Sequence, residues 1–240
     1  MDTPGTIASA VAKHLEGGQV HGKSKTFWTE GRFRGYSVTA KCWGMGTSGW
    51  LVHADAPEGA PPLLLSAQVR STGDQAAVER GSVRAVVTGD ASFDATWIVE
   101  GSPAATVRFV IDPEARAGIG RLRRSGVGFL GQRASSISVE DGRVSARFDG
   151  MEYEPSEIVG AIEVVVHVCA RLGVMARERK ETPPTAAQLA AEQAELAELR
   201  ALRDRWWARA SWPGRVAAVL LASVLTLAAL GFLYGSCVPS

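Results

Sequence analysis

The alternation of apolar and polar positions opens with a short helical stretch, Thr6 to Leu15, stopped by Gly17-Gly18. Strand-like segments follow. Lys25 to Glu30 and Tyr36 to Trp43 flank the Gly-containing turn GRFRG and predict a hairpin. Gly49 to Ala54 and Leu63 to Arg70 continue the strands across a loop marked by Pro57, Pro61 and Pro62. Ser82 to Thr88 and Phe93 to Glu100 read as two further strands, with Gly89-Asp90 as the turn between them.

The period then lengthens. Ser102-Pro103 predicts a helix to about Ile111, and Asp112-Pro113-Glu114 starts another to about Leu122. Asp141-Gly142, set between Ile137 to Val139 and Val144 to Phe148, is the strongest hairpin signal in the chain. Pro155 to about Ala176 is a long helix with Ile158, Ile162, Val165, Val166, Cys169 and Leu172 on one face. Strands first, then helices with a hairpin, predict an α+β domain over 1–176, divisible at about residue 100 into subdomains 1–100 and 101–176. No internal repeat of fixed period is present.

The charged, Pro-containing segment RERKETPPT, residues 177–185, reads as a linker. An amphipathic helix over 186–212 follows, with Leu189, Leu196, Leu199, Leu202 and Trp206 in one stripe. That stripe makes coiled-coil pairing, and hence a homo-oligomer or protein partner through Leu189 to Trp206, a candidate role. Trp212-Pro213-Gly214 breaks the helix before the last apolar run.

That run, Val216 to Tyr234, reads VAAVLLASVLTLAALGFLY and carries no charge. At about 1.5 Å per residue it spans roughly 28 Å, close to the hydrocarbon thickness of a bilayer. Its Val, Leu and Phe residues favour insertion by about 3 to 6 kcal/mol. Arg200, Arg203, Arg205, Arg209 and Arg215 lie before it, and the tail GSCVPS after it has no Lys or Arg. The positive-inside rule therefore predicts a single-pass protein of the cell inner membrane or plasma membrane, with the large domain cytoplasmic and residues 235–240 outside. Trp206, Trp207, Arg209, Trp212, Arg215 and Tyr234 are the candidate membrane-interface residues. MDTPGTIASAVAKHLEGGQ lacks a basic n-region followed by an apolar h-region, so the expected topology is tail-anchored rather than signal-directed.

Composition adds little direction. A net charge of +1 argues against nucleic acid as the main partner. Three well-separated cysteines, Cys42, Cys169 and Cys237, suit a reducing compartment better than a disulfide framework. The Ala, Arg, Gly and Val bias is that of a GC-rich bacterial genome.

Candidate chemistry is sparse. Gly44, Gly46 and Gly49, and again Gly126, Gly128 and Gly131, match G-x-G-x-x-G, but neither set sits between a strand and a helix as a dinucleotide site requires. His14, His21, His53 and His167 form no metal-ligand pattern, and His167 and Cys169 lie about 200° apart on their helix. No nucleophile motif is present, so no catalytic, cofactor or metal residue is assigned. The basic cluster Arg116, Arg121, Arg123, Arg124 and Arg133 surrounds the loop SGVGFLG and is a candidate contact for anionic lipid.

Phe93 to Leu122, FDATWIVEGSPAATVRFVIDPEARAGIGRL, followed by the Asp141-Gly142 hairpin, resembles a segment of uncharacterised bacterial membrane-associated proteins that carry transmembrane helices of their own. The resemblance covers about residues 93–149. It implies a bacterial, membrane-associated chain and brings no activity with it. The expected role is a membrane-tethered binding or scaffolding protein; the alternative is a membrane-associated hydrolase whose triad assembles from distant residues.

Overall fold

The computed structural model describes residues 3–23, 26–45, 47–70, 78, 84–122, 135–149, 154–202 and 204. The chain divides into two compact units, Met1–Leu196 and Ala197–Ser240. In the second, residues 197–202 are helical. The apolar run 216–234 and the interface residues Trp206, Trp207, Arg209, Trp212, Arg215 and Tyr234 lie outside the described residues.

The first unit is α+β. Its strands are β1 (Glu16–Lys23), β2 (Thr26–Phe33), β3 (Tyr36–Met45), β4 (Thr47–Asp55), β5 (Leu64–Val69), β6 (Trp97–Ser102), β7 (Ser135–Glu140) and β8 (Arg143–Asp149). They form one antiparallel sheet in the order β1-β2-β3-β4-β8-β7-β5-β6. The sheet does not divide at residue 100. The β7–β8 hairpin inserts between β4 and β5, so strands from both expected subdomains share one ladder.

Turn chemistry sets the tight hairpins. Arg34-Gly35 joins β2 to β3 with φ of 49° and 85°, and Asp141-Gly142 joins β7 to β8 with φ of 50° and 73°. Two successive left-handed residues match the right-handed twist of the flanking strands, which is why Gly occupies the second position.

Among the described residues, helices α1 (Pro4–Ala12), α2 (Ala91–Thr96), α3 (Ala104–Val110), α4 (Pro113–Arg121) and α5 (Pro155–Glu181) accompany the sheet. Side-chain caps start several of them. Thr3 caps α1, Asp90 accepts from the Ser92 and Phe93 N–H groups at α2, and Asp112 accepts from the Ala115 N–H at α4. The Asp90 cap explains one departure from expectation. Residues 93–96 have strand-forming neighbours, yet they turn as a helix, and β6 starts only at Trp97. The strand expected over 82–88 is reduced, among its described residues, to a bridge between Ala85 and Glu100 and an N–H from Val86 to the Val99 carbonyl at 2.7 Å. Conversely, Glu16–Lys23 forms the first strand although its glycines gave no strand signal. Its ladder with β2 shifts register between Glu16 and Gln19, where Gly17 has a φ of 64°.

Alternate residues divide the sheet into two faces. Val38, Ala40, Trp50, Val52, Val144, Ala146, Phe148, Ile137 and Ala67 all point to the buried face. The core completes there with Ile7 and Val11 of α1 and Ile158, Ile162, Val165 and Leu172 of α5. Gly118 lets α4 approach α5 at backbone distance; a Cβ there would stand 2.6 Å from Val164 Cγ2. Helix α5 is long and apolar enough to cross a membrane by length and composition, but more than half of its most apolar stretch is buried in this core.

α5 extends to Glu181, five residues past its expected end, because 177–181 keep helical hydrogen bonding up to Thr182. The linker over 177–185 is thereby shortened to 182–185. Thr185 and Gln188 then cap a helical stretch, with the Thr185 N–H donating to Gln188 Oε1 at 2.8 Å and the Gln188 N–H to Thr185 Oγ1 at 3.3 Å. Residues 186–196 belong to the first unit. Glu192 pairs with Arg179, and Glu195 accepts from Ser102 Oγ at 3.1 Å. Leu196 is 4% exposed and Leu189 is 39% exposed, so the leucine stripe is not uniformly available to a partner.

Candidate functional site

A cleft of about 450 Å³ opens where the end of α1, the end of α4 and the first turns of α5 meet. His14, Arg121, Ser156, Glu157 and Glu163 bring polar groups to it, over walls of Leu122, Phe148 and Val159. There a histidine, a hydroxyl and carboxylates line a common cavity. The groups do not form a relay. Glu157 accepts from the Glu154 N–H at 2.7 Å and caps α5. Ser156 Oγ donates to Glu154 Oε2 at 3.5 Å, and no hydrogen bond joins it to His14 among the described residues. A nucleophile and its base need hydrogen-bond reach, which this pair lacks. What remains is a cation, an imidazole and a carboxylate over an apolar wall, an arrangement suited to binding a small amphiphile.

Among the described residues, an ionic cluster elsewhere ties α4 to α5. His167 and Arg171, one turn apart on α5, both address the Asp112 cap of α4. His167 Nε2 donates to Asp112 Oδ1 at 2.9 Å, Arg171 Nε reaches Asp112 Oδ2 at 3.2 Å, and His167 Nδ1 stands 3.6 Å from Glu114 Oε1. The Arg171 guanidinium also lies 3.8 Å over the Phe109 ring and donates to the Phe109 carbonyl at 3.3 Å. Burial pushes the Asp112 carboxyl up, but the Ala115 N–H, His167 and Arg171 outweigh it and hold it below the usual value. Both nitrogens of His167 face carboxylates, so it has no nucleophile to activate. Sequence reading found the Asp112 cap and the helix carrying His167, but pairing them needs the fold.

The remaining histidines are separate. His21 stacks on Trp28 with ring centroids 5.3 Å apart and meets Glu30 at 3.0 Å. His53 lies on the outer face of β4 between Thr39 and Ser145 of the adjoining strands. Burial, then Arg143 and Lys41, push its pKa down against the pull of Asp55, so it is neutral at physiological pH.

The basic cluster disperses. Arg116 is turned inward, 16% exposed, with Nη1 donating to the Ile111 carbonyl at 3.0 Å and Nε 3.5 Å from Asp90 Oδ2. It serves the junction of α2, α3 and α4 rather than a lipid contact. Arg121 is exposed at the cleft. Arg123, Arg124 and Arg133 lie outside the described residues, as do Gly126, Gly128 and Gly131. Gly44 and Gly49 of the first glycine motif belong to the β3–β4 hairpin, with no helix following them.

Cys42 and Cys169 are buried cysteines. Cys169 Sγ donates to the Asp55 carbonyl at 3.7 Å, on the side of α5 away from Asp112. Burial raises the Cys42 thiol, and burial with the Asp55 charge pushes Cys169 up to about 12. Both shifts disfavour the reactive thiolate. Titration of the native full chain with a thiol-reactive disulfide should therefore modify no more than one thiol per chain, with the other two reacting only in denaturant. Fast native reaction of two thiols would contradict the burial.

No protein-family model matches the chain, and no curated protein matches it. Among solved structures it is similar to the crystal structure of the mycobacterial trehalose monomycolate transport factor A, TtfA, at 8% identity and a TM-score of 0.44, covering 69% of this chain and 92% of that one.

Proposed function

We propose that this is a membrane-tethered binding or scaffolding protein, whose α+β domain is held at the cytoplasmic leaflet by a tail anchor over 216–234. The carrying observation is the uncharged run Val216 to Tyr234 with five arginines before it and no Lys or Arg after it. Two features of the domain support binding over catalysis. His14 and Ser156 share a cleft without a hydrogen bond, and His167 is committed to Asp112 and Glu114. The cleft is the site at which a small amphiphile would be held.

Fractionation tests the tether. The full chain should sediment with membranes and resist extraction by high salt and by carbonate. Recovery in the soluble fraction would overturn the reading. The hydrolase alternative draws on the shared cleft, and it predicts an esterase activity abolished by Ser156→Ala and by His14→Ala alike.

A further inference from the structure

Among the described residues, His14, Arg121 and Glu163 make no side-chain hydrogen bond or ion pair, although all three line the cavity of about 450 Å³. Arg121 is the last residue of α4, and His14 follows the end of α1. Ser156, Gly160 and Glu163 fall at spacings of four and three along one stripe of α5, about 10 Å long. Arg121 and Glu163 therefore share the cleft without neutralising each other. The other carboxylates at this end of α5 are engaged in a capping box. Glu157 accepts from the Glu154 N–H at 2.7 Å, and Glu154 accepts from the Glu157 N–H in return. Leu122 and Val159 give the cavity apolar walls. Gly160 leaves it room, since a Cβ there would meet nothing within 4 Å.

We propose that this cleft binds a zwitterion carrying a phosphate and a primary ammonium, the phosphoethanolamine group. The inference rests on the reading of the cleft as an amphiphile site and adds the head group to it. One cation and one carboxylate, each without a partner among the described residues, balance in the same cavity. The cavity therefore favours a ligand with both charges over a bare anion or a bare cation. Arg121 and His14 are the donors to the phosphate. A guanidinium presents paired N–H groups to two phosphate oxygens, and an imidazole adds a further donor. Glu163 accepts from the ammonium. A quaternary ammonium is held by the faces of aromatic rings. Phe148 is the aromatic residue lining the cleft among the described residues, and it is only 2% exposed. A primary ammonium, which donates N–H bonds to a carboxylate, suits that lining better. Leu122 and Val159 cover the carbons beyond the phosphate ester.

The test uses the full chain in uncharged maltoside micelles and water-soluble probes, with affinities read by ligand-observed NMR. Glycerophosphoethanolamine is the diester of a lipid head group, and O-phosphoethanolamine is the free monoester. Glycerophosphocholine replaces the primary ammonium, and glycerol 3-phosphate omits it. An ethanolamine probe should bind about tenfold more tightly than either of these two. The diester leading would identify a lipid head group, and the monoester leading a free phosphate ester. Glu163→Gln should remove the preference over glycerol 3-phosphate, and Arg121→Gln should weaken every phosphate probe about tenfold. Gly160→Leu should abolish binding by filling the cavity. Its thermal unfolding should come no earlier than that of wild type, because a side chain at 160 enters open space and Leu is the better helix former. Equal binding of glycerol 3-phosphate and the ethanolamine probes, or a preference that survives Glu163→Gln, would overturn the proposal. Binding that survives Gly160→Leu, or no binding of any phosphate probe, would overturn it too. Sodium hexanoate in the same assay reads the amphiphile site separately. Hexanoate binding lost on Gly160→Leu would keep that site even where the phosphate probes fail.

Discussion

Leu225→Arg should release the full chain from membranes. Leu225 lies at the middle of the run 216–234, where a charge is furthest from water. The ten Val, Leu and Phe side chains of the run favour insertion by about 3 to 6 kcal/mol. A central Arg costs about 2.5 to 3.5 kcal/mol, and the lost Leu removes about 0.5 more. The sum brings insertion close to balance, so the variant should shift from the carbonate-resistant pellet to the supernatant. Leu225→Phe, which keeps the apolar character, should stay in the pellet. A Leu225→Arg chain that remained fully membrane-bound would mean that this run is not the anchor.

The second large effect belongs to Asp112. It caps α4 and receives both His167 and Arg171 from α5. Asp112→Ala removes the cap, at about 1 kcal/mol, and leaves two partly buried cationic or polar side chains without their acceptor, at about 1 to 3 kcal/mol more. Unfolding in mild detergent should therefore show a loss of about 2 to 4 kcal/mol, with α4 the first element to gain hydrogen exchange. The acid dependence follows from the depressed carboxyl. A group held below its unfolded value of 3.8 stabilises the fold at all pH above that value, and the stabilisation disappears as pH falls through its lower folded value. Wild type should lose stability below about pH 3.8 through this group. Asp112→Asn keeps a good cap but no charge, so it should start less stable at neutral pH and depend less on acid. An Asp112→Ala chain as stable as wild type would show that the cluster does not fasten α4 to α5.

What was legible in the sequence was local. Asp141-Gly142 fixed its hairpin because two left-handed residues are encoded by the pair itself. Asp112-Pro113 gave the start of α4, and the spacing of Ile158, Ile162, Val165 and Leu172 gave the buried face of α5. What depended on distant partners was not legible. Glu16–Lys23 is a strand because β2 pairs with it, not because its glycines favour extension. The insertion of β7–β8 between β4 and β5 has no local signature at all. The same holds for the site. His14 and Ser156 line one cleft across 142 residues of separation. Arg116 illustrates the converse error. Its neighbours in sequence suggested a basic surface, but Asp90 and the Ile111 carbonyl claim it.

The two ends of the sheet bear on how copies of a tethered domain would meet. Tethering confines a domain to a thin layer, where it meets its own copies far more often than it would in free solution. An eight-stranded sheet with bare margins would then recruit those copies strand by strand into a ribbon. Here one margin is kinked at Gly17, where β1 loses register with β2. The other is partly filled, with Ala85 bridged to Glu100 and Val86 bonded to Val99 alongside β6, and Glu195 holding Ser102 at its end. Irregular margins of this kind disfavour strand-by-strand pairing between copies.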